Sequence, residues 1–423
     1  MSNNDKITFI DLFSGCGGFS EGFLQSGKYD ALAHVEWELP MVNTLRNRVE
    51  THWGHSKEEA NQKVIHFDIQ KSKELIHGNW QVDTLSSYKK TNHPDVIKDG
   101  IEGLVGNKKV NVIIGGPPCQ AYSIAGRAQD KNSMKDDYRN FLFESFIKVV
   151  DHFQPELFVF ENVPGMLSAA PGGEKVTERI YKSFSNHGYE IVEPDKLKSV
   201  IQVASDFGVP QKRKRVIIIG IRKNIKSNNF NLESIYTEIN KDKISQPKTL
   251  FEAIGHLPKL KPSIDVLKYN GRKYSHSPEV GSGFSPVNHE PRYHNTRDIK
   301  IFKDWVSKNM NESKMKDKIL FYNNLLGKKT KHSKYRSLNW DKPSQTIVAH
   351  LNKDGLMFIH PDSEQARTIT VKEAALIQSF PDDFIFIEKM GYNYKMIGNA
   401  VPPLMAKKIS EAIAKALKSR LIH

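Results

Sequence analysis

Residues 111–123 read NVIIGGPPCQAYS. Together with Val110, the run to Ile114 is short, β-branched and apolar, the pattern of a strand buried on both faces. Gly115 and Gly116 allow backbone geometry that other residues resist. Pro117 and Pro118 fix their own φ and push each preceding residue toward extended forms. Cys119 is thereby expected at the mouth of a strand, where open α/β sheets bind ligands. The local alternative is a small packed hydrophobe, a common fate of a free cysteine.

Working outward, ITFIDLF (7–13) is an apolar strand that runs into the glycine-rich SGCGGFSEGFLQSG, a turn followed by a helix over about 19–25. ALAHVEW gives a second strand ending on Glu36, and KVIHFDI a third ending near Asp68. The segment 71–109 is polar and helical or loop-like. DYRNFLFESFIKVVDHF is an amphipathic helix with Phe141, Phe143, Ile147, Val150 and Phe153 on one broad face. ELFVFENV is another buried strand, stopped by Pro164 and Gly165. A helix near 174–186 precedes strands in KSVIQVAS and RVIIIGI. Strands alternating with helices predict an α/β fold with a doubly wound, mainly parallel sheet.

That pattern breaks after about Ile221. Residues 222–335 are rich in Lys, Asn, Ser, Pro and His, with scattered aromatics able to make a modest core. Apolar order returns from 336 and ends in a helix near 404–417 carrying Met405, Ile409, Ile413 and Leu417. The expected division is 1–221, 222–335 as a smaller irregular domain, and 336–423 returning to the junction of the two, with the C-terminal helix completing the first.

Lys and Arg number 62 against 48 Asp and Glu, a net charge of +14. Such an excess favours a polyanion, nucleic acid before membrane, or simply makes a soluble basic surface. No apolar run approaches the ~20 residues that span a bilayer. The N-terminus lacks a secretory pattern, and two cysteines make no disulfide framework or zinc-finger spacing. A cytoplasmic protein without a metal is the expectation.

Several side chains carry chemistry. DLFSGCGG after a strand resembles a nucleotide-binding turn but lacks the full dinucleotide pattern, which disfavours an oxidoreductase. Glu36 lies about 20 residues on, where an acid can accept ribose hydroxyls. Trp37 is either an adenine platform or core, and Asp68 either an adenine partner or a cap. Glu161 ends a strand that otherwise reads as wholly buried, a costly place for an unused carboxylate. In GVPQKRKRVIIIG, Gln211, Arg213 and Arg215 alternate on one face of a strand; a basic edge run that discourages aggregation is the other reading.

In order along the chain, DLFSGCGG, GGPPCQAYS, ENV, QKRKR and GNAVPP resemble the motif series of the cytosine-carbon-5 DNA methyltransferases. TLFEAIGHLP, KPSQTIVAH and RTITVKEAALIQSFPDDF fit between them. The resemblance implies that Cys119 is the nucleophile toward carbon 6 of a flipped cytosine. Glu161 would hydrogen-bond ring nitrogen 3 and the exocyclic amine, Arg215 the base carbonyl, with Arg213 nearby; Asn162 would help hold a water. S-adenosylmethionine is the implied cofactor, its pocket drawn from Phe13, Gly15, Gly18, Glu36, Trp37, Asp68, Ile69, Pro118, Asn399 and Val401. Gln120, Ser123, Arg127 and Gln211 would touch DNA; AYSIAGRAQDKNSMKDDYRN would be a lid with Gly126 as hinge and Arg139 near phosphate. Cys16 would be inert packing, and the final helix would pack beside the first motif.

Residues 222–335 would then recognise the target sequence, with NHEPRYHNTRD supplying base and phosphate contacts. Double-stranded DNA is the implied partner, in a bacterial monomer with or without a cognate restriction endonuclease. Two other readings compete. A tRNA-modifying branch carries a further Cys-Phe-Thr motif, whereas no cysteine follows Cys119 here. A non-catalytic DNA-binding relative would not need Cys119, Glu161 and the Gln-x-Arg-x-Arg pattern together.

Overall fold

A computed structural model describes residues 6–118, 142–269, 272–278, 286–327, 329 and 332–420. The β-branched and aromatic runs become strands β1 (Ile7–Leu12), β2 (Tyr29–Glu36), β3 (Val64–His66), β4 (Val112–Gly115), β5 (Leu157–Asn162), β6 (Tyr189–Glu190), β7 (Ile201–Val203), β8 (Gln211–Lys212) and β9 (Lys214–Arg222). All but β8 join one eight-stranded sheet, in the order β3-β2-β1-β4-β5-β9-β6 with β7 beside β9. Pairs among β1 to β5 are parallel, while β9 runs antiparallel to β5, β6 and β7. The chain builds outward from β1 to β3, then returns to lay β4 on the other side of β1. That reversal makes a topological switch point between β1 and β4, where strand ends diverge and ligands bind.

The helices that matter below are α1 (Gly18–Gln25), α2 (Leu39–Thr51), α3 (Ser72–His77), α4 (Pro94–Val105), α5 (Leu142–Phe153), α6 (Val176–Asn186), α7 (Leu232–Lys241), α8 (Thr296–Ser307), α9 (Val371–Ile377), α10 (Met390–Asn399) and α11 (Pro403–Arg420). Thus 71–109 is largely helical. None of the described helices is long and apolar enough to cross a membrane.

Two compact units emerge: Met1–Gly208, Arg213–Ser245 and Ala400–His423, and Val209–Lys212 with Gln246–Asn399. These divide the chain differently from the expected boundaries at 221 and 335. Arg213–Ser245 stays with the first unit because α7 packs on α11. Residues 336–399 lie with the second, where Tyr335 and Ile359 share a core with Ile301, Phe302 and Trp305 of α8.

In the first unit the middle strands are buried along their length. Phe158 stacks on Phe184 of α6 at 4.0 Å, and Phe146 of α5 meets Phe158 and Phe160 edge-on. Gly220 is required there, since a β-carbon would lie 2.1 Å from the Phe158 ring. Helix α11 packs on α1 as the resemblance implied. Gly22 permits it, because a β-carbon would sit 2.3 Å from the Pro403 carbonyl oxygen. The Tyr29 hydroxyl donates to the Ser410 carbonyl at 2.7 Å.

The second unit holds an antiparallel hairpin, β10 (Leu260–Tyr269) with β11 (Arg272–Pro278), and a short parallel pair of β8 with β12 (Ser344–Gln345). Its interior also holds buried polar side chains beside the apolar core. The buried Arg367 guanidinium makes two 2.7 Å hydrogen bonds to Glu373 and two more to Gln365 Oε1. Thr370 and Glu373 form a reciprocal cap at the start of α9.

Candidate active site

The cofactor side begins where β1 ends. Phe13 adopts φ +59, and the glycines at 15 and 17 follow at +57 and +90. Gly17 precedes α1 as its cap, and its β-carbon would lie 2.5 Å from Leu45 of α2. The Glu36 carboxylate organises this turn from the end of β2. Oε2 accepts the Gly15 N–H at 2.8 Å, while Oε1 accepts those of Trp37 and Glu38 at 2.8 and 2.7 Å. Burial raises the Glu36 pKa, against the pull of these three donors.

Trp37 is 55% exposed, which excludes the core-packing reading and leaves its indole as an open aromatic platform beside Glu36. His66 meets the Trp37 carbonyl at 2.9 Å. Gly18 is buried at the start of α1, and Ile69 is core. The Asp68 carboxylate accepts the Gln70 N–H at 3.0 Å and opens the turn at Ile69–Lys71. The arrangement fits an adenosine-bearing ligand, with a carboxylate and an exposed aromatic side by side over a glycine turn.

Sequence reasoning passed over what lies beneath. Ser20 of α1 donates to Asp11 Oδ2 and meets His34 Nδ1 at 3.0 Å, joining α1 to β1 and β2. Burial raises Asp11 to about 8 and lowers His34 to about 3. The available signal was an acid inside the apolar strand ITFIDL. Cys16 is free and buried, and burial pushes its thiol pKa up, consistent with packing.

The residues expected to carry the chemistry sit at the ends of β4 and β5. Because β9 runs antiparallel, Val216 pairs with Asn162 and Ile217 with Glu161, so Arg215 lies alongside the end of β5. Arg215 Nε reaches Glu161 Oε1 at 2.6 Å. The other oxygen lies over Gly116: a β-carbon there would come within 2.7 Å of Glu161 Oε2. The second glycine of GGPP is thus the space that lets the carboxylate face the β4 exit. At Gly115 a β-carbon would meet the Leu12 carbonyl oxygen at 2.5 Å. Asn162 is buried, donating to the Pro117 carbonyl at 3.4 Å and accepting the Val163 N–H at 2.7 Å. Pro118 is exposed. Cys119, Gln120, Ser123, Gly126, Arg127 and Arg139 lie outside the described residues.

Burial alternates along QKRKR, with Gln211 and Arg213 buried and Lys212 and Lys214 exposed, but Gln211, Arg213 and Arg215 do not share one strand: Gln211 lies on β8 and Arg215 on β9. Burial presses the Arg213 and Arg215 pKa values down, Arg213 most. Gln211 departs from its expected DNA contact. Its oxygen accepts the Ile347 N–H at 2.9 Å and its amide donates to Gln378 and to the Ile377 carbonyl, so it ties β8 into the second unit. Asn399 is the exposed last residue of α10, and Val401 is buried in the first unit. Gly398 before them lets α10 lie against Val348 and Ala349.

NHEPRYHNTRD also departs from expectation. Asn288 bonds the Phe386 backbone in both directions, and His289 lies between Thr370 and the Pro258 carbonyl. Arg292 donates to the carbonyls of 351–353 and stacks on Tyr394. His294 meets Thr368, and Asn295 caps α8. Most of these side chains hold the second unit together, while Glu290, Tyr293, Asn295, Thr296 and Arg297 are exposed.

The sequence profile of the family described as C-5 cytosine-specific DNA methylase matches residues 7–85 and 77–415. A Type II methyltransferase of Bacillus paralicheniformis, M.Bpa9945I, is 34% identical over 452 residues, covering 96% of this chain and 98% of its own. The chain belongs to the C-5 cytosine-specific DNA methylase family. M1.HphI, a Type II methyltransferase of Haemophilus parahaemolyticus, is 33% identical and covers 97% of this methylase and 87% of itself. Among solved structures, an E. coli protein described as a prophage-encoded DNA modification methyltransferase shares the fold at TM-score 0.55 and 22% identity, covering 98% and 100% of the two chains. The methylase is accordingly a DNA cytosine-5-methyltransferase, and its family implies S-adenosylmethionine as cofactor.

Proposed function

We propose that this methylase acts by covalent catalysis through Cys119 on a flipped cytosine within a short duplex sequence, as the modification arm of a restriction–modification pair. One observation carries the reading: the Glu161 carboxylate, held by Arg215, faces the exit of β4 over Gly116, three residues before Cys119. The Type II names of the relatives support the biological setting.

In this scheme the Cys119 thiolate adds to carbon 6, and charge that develops on the ring is met at nitrogen 3 by Glu161. Arg215 fixes the Glu161 rotamer, and Asn162 braces the Pro117 carbonyl that shapes the approach to Cys119. Glu36 would bind ribose hydroxyls, with Trp37 and Phe13 against the adenine and Gly15, Gly18, Asp68, Ile69, Pro118, Asn399 and Val401 around them. S-adenosylmethionine supplies the methyl group when bound. Loss of the carbon 5 proton to a base, together with departure of the thiolate, restores the aromatic ring. Target reading is assigned to the second unit, with Gln120, Ser123 and Arg127 toward the flipped base and its strand. The protein would work as a cytoplasmic monomer.

A duplex carrying 5-fluorocytosine at the target should trap a covalent complex when cofactor is supplied. Cys119→Ser should abolish the trap while DNA binding survives. A Cys119→Ser enzyme that turned over at the wild-type rate would remove the nucleophile role.

A further inference from the structure

Away from the strand ends, three helices of the first unit bring two imidazoles and a carboxylate to one point on the surface. His77 ends α3, Glu102 lies in α4, and His152 lies in the last turn of α5. His77 Nδ1 is 2.8 Å from Glu102 Oε2, and His152 Nε2 is 2.8 Å from Glu102 Oε1. The three ligand atoms all lie within 4.8 Å of one another. The imidazole rings stand 5.0 Å apart and nearly perpendicular. Each helix is anchored by core residues next to its ligand, namely Ile76, Ile101 and Val149. The backbone therefore fixes where the three side chains start, and only their outer torsions need adjust.

We propose that His77, Glu102 and His152 form a divalent metal site that takes Zn²⁺, with water completing a four-coordinate shell. Two nitrogens and a carboxylate oxygen are a zinc donor set. Bonds of about 2.0–2.2 Å put neighbouring ligand atoms roughly 3.3 Å apart in a tetrahedron. The two 2.8 Å contacts must open slightly, which side-chain rotation at exposed positions permits. The side chains are 30–47% exposed, so an ion enters from solvent. Nothing places this site in methyl transfer; it would pin the end of α5 to α3 and α4. Its sequence signature is invisible, because the ligands are 25 and 50 residues apart in a chain without a metal motif.

The test is calorimetric titration of the full-length protein with ZnCl₂, paired with thermal melts with and without zinc. The wild type should bind one equivalent that a His77→Ala, His152→Ala double variant lacks, and zinc should raise Tm only in the wild type. Glu102→Gln, which keeps the side-chain shape, should weaken that equivalent by more than about tenfold. It serves as the second readout should the double variant fold poorly. Zinc held by a thiol would persist in both variants and is not counted. Identical isotherms and melts for wild type and Glu102→Gln would overturn the site and leave the cluster as a hydrogen-bonded clamp.

Discussion

The two compact units bury different kinds of surface. In the first, β4, β5 and β9 fill the centre with Val, Ile and Phe, and the polar groups that matter gather at strand ends. In the second, the interior includes His276, His289, His294, His360, Gln365, Arg367, Thr370, Glu373 and Gln378. An apolar sheet core supports a rigid catalytic edge, because many buried residues each contribute about 1.5–3 kcal/mol without directional demands. A polar core contributes less per group and depends on every partner being present. The second unit is therefore the part whose shape is most easily lost by one substitution or by a change of protonation.

The largest effect expected from separating these roles is on turnover. Glu161→Ala should lower kcat by about 10²–10⁴-fold. The melting curve should fall too, because Arg215 loses its buried partner; Glu161→Gln, which still offers Arg215 an acceptor, should separate the loss of turnover from the loss of stability. A variant with normal kcat would detach Glu161 from the chemistry.

Next in size is the buried pair of the second unit. Arg367→Met leaves Glu373 uncompensated and should cost about 3–5 kcal/mol in urea unfolding, whereas replacing both partners by apolar residues should recover much of the loss. If the double substitution were as damaging as the single one, the pair would be more than a satisfied charge couple.

Acid should distinguish the units as well. Burial lowers His276 to about 4 and His294 and His360 to about 3, from an ordinary 6.5. Below pH 6.5 the unfolded chain takes up protons that the folded second unit refuses. Its stability is thus full above 6.5 and declines progressively toward pH 3–4. In the first unit Asp11 works in the opposite sense, since its raised pKa makes the folded state hold a proton between about 4 and 8. That contribution is lost as pH rises through about 8, while His34 adds an acid-sensitive term of the second unit's kind. Hydrogen exchange at pH 7 and pH 5 should show the second unit losing protection first. Equal loss in both units would contradict the contrast.

The smallest effect compares two arginines five residues apart with different roles. Arg292→Ala removes bonds to three carbonyls and should cost about 1–3 kcal/mol. Arg297→Ala, in an exposed pair with Asp298, should stay within about 0.5 kcal/mol, so any change in DNA binding would be a direct effect. Thermal melts with a DNA-binding measurement separate the two.

The same contrast explains what the sequence made legible. Strands at 112–115, 157–162 and 214–222 could be read because two-sided burial leaves unbroken β-branched and aromatic runs. Glu161 stood out as an acid ending such a run. NHEPRYHNTRD was misread because the residue types that contact bases also satisfy a polar core, and their partners are far along the chain; His289 finds Thr370 81 positions later. Gln211 failed for the same reason, pairing across 136 residues with Ile347.

Gly22 has a consequence for how the enzyme is made. Helix α1 is synthesised well before α11, yet the surface that seats on it, and the carbonyl that receives the Tyr29 hydroxyl 381 positions on, belong to α11. At ribosomal rates of about 5–20 residues per second, the glycine turn waits roughly 20–80 s for its partner. A nascent chain halted before α11 would leave that seat bare, so unfinished copies should be targets for chaperones before they could ever mark DNA.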